Sequence, residues 1–141
     1  MPSNIPLLAP VVAMILWIAV IWTWMYITRI PAIVQMRMRL DPMRKRGEQM
    51  SELPAQVRWK ADNYNHLLEQ PQLFYATAIV LAVLGDNSAV AISLAWAYVA
   101  LRVIHSIVQA TFNHIPTRFG IFAVSSLVLW ALAIRAALLV F

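Results

Sequence analysis

Apolar residues dominate four stretches of the chain, at 5–30, 60–84, 89–112 and 118–141, and a polar connection at 31–58 separates the first two. About 20 predominantly apolar residues cross a bilayer as a helix, so the pattern predicts four transmembrane helices in one membrane domain spanning 1–141. The first stretch carries no charge before Arg29, and Pro6 and Pro10 sit in its opening turns, where proline is tolerated. Trp22, Trp24 and Tyr26 lie just before Arg29 and suit an interfacial aromatic belt. The second stretch differs in kind: Val57–Leu84 begins as a polar helix and turns apolar only near Leu73. Its polar half must be drawn into the bilayer for it to cross. Pro71 cannot donate to the carbonyl of Leu67, which predicts a kink. Gly85-Asp86-Asn87-Ser88 reads as a tight turn, which sets the third helix antiparallel to the second. The link 113–118 leads to the fourth helix, with Thr117 as its expected N-cap.

Two polar stripes interrupt this apolar pattern. Arg58, Asp62, Asn65, His66 and Glu69 recur every three or four residues along the start of the second helix. Arg102, His105, Ser106, Gln109 and Asn113 recur in the same way along the third. Such spacing places each set on one helix face. Ionisable residues at membrane depth face protein, water or a ligand. Arg118 opens the fourth helix close to the ends of both stripes, and Arg135 is expected to snorkel to the opposite interface.

Composition supports the membrane reading. The chain has 141 residues, of which 62% are hydrophobic and 12% charged, against about 45–50% and about 25% in soluble domains. No cysteine is present, which excludes disulfides, thiolate metal sites and a cysteine nucleophile. The net charge of +5 is concentrated: Arg29, Arg37, Arg39, Arg44, Lys45, Arg46, Arg58 and Lys60 are eight of the 11 Lys and Arg. A basic block between two spans reads as a cytoplasmic connection beside anionic lipid, not as a nucleic-acid surface. It puts both termini outside and both stripes in the cytoplasmic half of the bilayer. Arg37 or Arg39 can also reach an anionic ligand at the mouth of the bundle.

The stripes offer a pocket for a small, multiply charged ligand: arginine forks for carboxylates, with Asn65, Glu69, His105 and Gln109 as neutral or anionic partners. The alternative is structural, with Arg102 paired to Glu69 and the polar groups joining helices. His66 and His105 lack a third ligand at helical spacing that would support a metal. A charged stripe also suits a small proton-coupled transporter. There is no Gly-rich phosphate loop, HExxH or nucleophile elbow.

Residues 65–74, Asn-His-Leu-Leu-Glu-Gln-Pro-Gln-Leu-Phe, resemble the helix-two signature of the membrane-associated proteins in eicosanoid and glutathione metabolism, the MAPEG family. Arg102-Val-Ile-His-Ser-Ile-Val-Gln109 and Pro116-Thr-Arg118 are similar to that family's helices three and four. The resemblance covers nearly the whole chain. It implies an all-α four-helix membrane bundle that forms homotrimers, with glutathione held between protomers near the cytoplasmic side. It places Arg118 at the position that holds the glutathione thiolate. Asn65 and Glu69 fall on helix-two glutathione contacts, with Arg58 at the helix start. Arg102 and His105 fall on helix-three polar positions. Gln109 stands where some members carry a tyrosine, and Phe119 and Phe122 stand where the prostaglandin-synthase branch has serine and tyrosine, which argues against eicosanoid synthesis. The resemblance thus implies a glutathione-dependent transferase or peroxidase acting on hydrophobic electrophiles or lipid peroxides in a bacterial inner membrane. A binding or scaffold protein that keeps the fold without the chemistry is the second reading, and the transporter the third.

Overall fold

The computed structural model describes residues 5–141, and its regular structure among them is entirely helical. Five α-helices follow in order: α1 (Leu8–Gln35), α2 (Ala55–Glu69), α3 (Pro71–Val83), α4 (Ala89–Thr111) and α5 (Ile115–Val140), with a short 3-10 helix at Gln49–Glu52. Three of them, α1, α4 and α5, are long and apolar enough to cross a membrane. The second expected span is divided. Gln70 separates α2 from α3 yet keeps helical dihedrals, so the backbone runs on through a break caused by the missing N–H of Pro71. The Gln70 side chain donates to Ser126 Oγ at 2.8 Å and ties this junction to α5.

The connection between the first two stretches is shorter than the expected 31–58. α1 continues through Pro31 to Gln35, and α2 already begins at Ala55. Proline deletes a single hydrogen bond, and the apolar run Ile30-Pro31-Ala32-Ile33-Val34 keeps the helix in the bilayer past it. Arg37 then takes the left-handed conformation at φ 50° and ends the helix. At the far end of α3, Gly85 adopts φ 74°, and the Asp86 N–H donates back to the Leu81 carbonyl, a glycine C-cap. Ser88 caps α4 by accepting from the Ala91 N–H. α4 stops at Asn113, which sits at φ 48° and donates its N–H to the Val108 carbonyl. The fourth helix begins earlier than expected. Ile115 opens it, with Pro116 in the first turn, so Thr117 is no N-cap; its hydroxyl pairs with His114 Nδ1 at 2.8 Å.

The core has a small-residue seam. Ala78, Ala91 and Ala95 are fully buried, which lets helix backbones approach closely. Phe74 stacks on Tyr98 with ring centroids 4.5 Å apart. Met14 and Ile21 of α1 and Leu129 and Leu132 of α5 fill the space around them. The outward faces carry Leu16, Ile27, Leu127 and Leu138, all largely exposed and suited to lipid.

One end of the bundle is closed by an ion pair. Arg135 Nη2 donates to Asp86 Oδ1 at 2.9 Å, and its Nε donates to Oδ2. Arg135 therefore reaches the α3–α4 turn at that end of the bundle and is held there. The guanidinium holds the Asp86 carboxyl well below the usual carboxylate range. A lowered native pKa stabilises the fold above the unfolded value of about 3.9 and is lost as pH falls through the native one. Asp86→Asn should therefore lower the Tm of the detergent-solubilised protein by several degrees at pH 7. The gap should persist down to about pH 4 and close below it; a variant as stable as the wild type at pH 7 would contradict the clasp.

Candidate polar site

The inward face of the second stretch is a continuous stripe of buried residues: Lys60, Asn63, Leu67, Pro71, Phe74, Ala78 and Leu81. Its polar members meet the polar stripe of α4, where Arg102, His105, Ser106 and Gln109 are all buried. Asn63 Nδ2 donates to Ser106 Oγ at 2.7 Å. Lys60 lies with its Nζ 5.0 Å from the Trp24 ring centroid and donates to the Gln56 carbonyl at 2.9 Å.

Arg102 is the largest fully buried side chain in the protein, at 0% exposure. It makes no ion pair among the described residues, and the Arg102–Glu69 pair considered from sequence does not form. Its Nη2 donates to the His66 carbonyl at 3.3 Å, and its Nη1 lies 3.5 Å from His66 Nε2. A guanidinium only donates, so this long contact is compatible with a His66 ring that carries its proton on Nδ1. That nitrogen points toward Glu69 Oε2, 3.8 Å away. Phe122 of α5 covers the other side, with its ring centroid 5.8 Å from Arg102 Cζ. The His66 and His105 rings are 5.0 Å apart. Arg102 Nε, His105 Nδ1 and Gln109 Oε1 are buried without a protein partner, and such groups are costly unless something satisfies them.

Two polar cavities lie on either side of α2. The first, about 160 Å³, is lined by His66, His105, Gln109, Ile115, Arg118, Phe119 and Phe122. Arg118 is aimed by the α4–α5 link: its Nη1 donates to Asn113 Oδ1 at 2.7 Å. The second, about 230 Å³, is lined by Arg29, Gly47, Met50, Ser51, Arg58, Ala61, Asp62 and Asn65. A larger groove of about 590 Å³ runs over Leu16, Val20 and Ile27 on α1 and is a lipid-facing concavity with little polar chemistry.

The structure thus brings together four of the seven residues singled out from sequence. His105, Gln109 and Arg118 share the first cavity, and Arg102 backs it through His66. Arg58, Asn65 and Glu69 do not join them. Arg58, Asp62 and Asn65 are exposed along the second cavity, and Glu69 is exposed with its Oε2 3.8 Å from His66, the one residue of that stripe that turns inward. The reason is helical phase: positions 58, 62, 65 and 69 lie across the helix from 60, 63 and 67, and the apolar positions of α3 place 60, 63 and 67 in the core. Sequence spacing missed Asn63, Lys60, Phe122 and Arg29. Extending the buried positions Phe74, Ala78 and Leu81 backwards in steps of three and four finds the first two.

An all-helical bundle with a buried cationic site and lipid-suited outer faces is an integral membrane protein. A family model described as MAPEG family matches residues 7–138, nearly the full length, and the chain belongs to that family. No curated protein and no solved structure matches the chain.

Arg102 is a buried cation without an anion, an arrangement in which a well-packed apolar side chain of similar volume is often neutral or more stable. Arg102→Met should therefore leave the Tm of the detergent-solubilised protein unchanged or raise it. A large fall in Tm would show instead that the guanidinium holds the fold.

Proposed function

We propose that the protein is a membrane-embedded glutathione-dependent transferase or peroxidase of the MAPEG type, acting on hydrophobic electrophiles or lipid peroxides that enter from the bilayer. We further propose four membrane passes, α2 and α3 together forming the second, and a homotrimer whose sites lie between neighbouring protomers. α3 has 13 residues and reaches only about 20 Å, so about 10 Å of α2 must enter the roughly 30 Å of hydrocarbon. Asn65 and Glu69 are then at membrane depth and exposed. This exposed polar face is the observation that carries the reading, because a polar face in hydrocarbon needs protein, water or ligand against it. A second copy supplies that cover. It would also bring the outer residues of one protomer, Arg58, Asn65 and Glu69, toward a cavity of the next.

The residues fit glutathione. Arg29 and Arg58 in one cavity and Arg118 in the other are forks for carboxylates, and the unpartnered polar atoms of His105 and Gln109 suit a peptide's amides. Bound glutathione would supply the thiol. Arg118, steadied by Asn113, favours the anionic form of a thiol, whose pKa is otherwise about 8.5. Phe119 and Phe122 present an apolar wall to a hydrophobic partner. The connection 36–54 is on the cytoplasmic side of a bacterial inner membrane in this reading, with both termini outside. The second reading, a MAPEG-fold binding protein without chemistry, rests on Arg118 being engaged by Asn113 and on the phenylalanines beside it.

Titration calorimetry of glutathione into the purified protein tests the site. Micromolar-to-millimolar binding is expected, weakened in Glu69→Gln. Arg118→Ala should lower turnover of a model electrophile at least about tenfold, since one pKa unit is about 1.4 kcal/mol. Binding without turnover selects the scaffold reading, and no binding by a folded protein removes glutathione from the account.

A further inference from the structure

The connection between α1 and α2 is more ordered than a solvated topology signal needs to be. Gln49 and Asp41 staple its backbone. Gln49 donates through Nε2 to the Arg39 carbonyl at 2.8 Å and accepts through Oε1 from the Asp41 N–H at 3.1 Å. Asp41 Oδ1 accepts from the Met43 N–H at 2.9 Å, and Glu52 pairs with Arg44 at 2.8 Å. Two of the three nearby acids, Asp41 and Glu52, are thereby committed, with Glu48 the third. Arg37, Arg39, Lys45 and Arg46 make no ion pair among the described residues and are exposed. Interleaved with them are exposed apolar side chains: Met43 is 90% exposed, Leu40 60% and Met36 46%. Cations alternating with apolar tips, held out by a stapled turn, are the pattern of a surface that meets charge and hydrocarbon together.

The level of the segment in the membrane fits. α1 has 28 residues, about 42 Å, which matches the roughly 40–45 Å of a bilayer including its headgroups. The connection therefore leaves α1 at headgroup height. We infer that residues 36–46 form a docking surface for an anionic lipid leaflet, with Arg37, Arg39, Lys45 and Arg46 on lipid phosphates and Met43 and Leu40 inserted at the acyl boundary. Each cation beside an anionic leaflet contributes about fivefold to partitioning. Gly47, Met50 and Ser51, which follow the surface directly, line the second polar cavity, so lipid engagement bears on that cavity's wall. The inference is independent of glutathione.

The chain contains no cysteine, so Met43→Cys carries a single environment-sensitive NBD label. In nanodiscs of phosphatidylcholine with phosphatidylglycerol, the emission should shift to the blue and become shielded from iodide, relative to phosphatidylcholine alone. Raising the salt to about 1 M, where the Debye length is about 3 Å, should reverse the shift. Adding Arg37→Gln, Arg39→Gln, Lys45→Gln and Arg46→Gln should abolish it. Inorganic phosphate or an oligonucleotide added to phosphatidylcholine discs should produce no shift. Equal emission in the two lipid compositions, or a shift driven by the soluble anions, overturns the proposal.

Discussion

A guanidinium in the middle of a helix bundle constrains everything packed around it. Arg102 is fully buried with no carboxylate to meet it, and its contacts come from one residue of α2, the ring and carbonyl of His66. The His66 ring lies beside that of His105, with centroids 5.0 Å apart. Phe122 covers the remaining side. The Asn63–Ser106 bond, one turn further along, holds α2 and α4 in the same phase.

The two ends of the bundle are built on different principles. At the α3–α4 turn, a glycine cap, a serine cap and the Asp86–Arg135 pair satisfy each polar group locally. At the other end, Arg102 Nε, His105 Nδ1 and Gln109 Oε1 have no protein partner, and Arg118 stands over the cavity beside them. A capped, ion-paired turn thus closes one end, and an open polar cavity lies toward the other.

Much of this was legible in the sequence because hydrophobic periodicity reports directly on burial. The α4 stripe Arg102, His105, Ser106 and Gln109 is buried as its spacing implied, and the Gly85 turn and Ser88 start lie where turn chemistry put them. The α2 stripe was harder to place. Polar residues there occupy two opposite faces, and spacing alone cannot say which one looks inward. The phase is set downstream, by Phe74, Ala78 and Leu81, and it turns Asn63 in and Asn65 out. The helical ends of the connection differ from 31–58 because the apolar run around Pro31 carries α1 to Gln35. The Arg102–His66 contact joins residues 36 apart in sequence and has no local signature.

The central claim is that the exposed polar face of α2 is covered by a neighbouring copy in the bilayer. The direct measurement is the oxygen accessibility of a spin label at Asn65→Cys in liposomes, with Leu16→Cys on the outer face of α1 as the lipid-exposed reference. The account predicts that the label at 65 is sheltered from oxygen while the label at 16 is fully accessible. Equal oxygen accessibility at both positions would mean that lipid reaches the polar face, and the shared site between protomers would have to be abandoned.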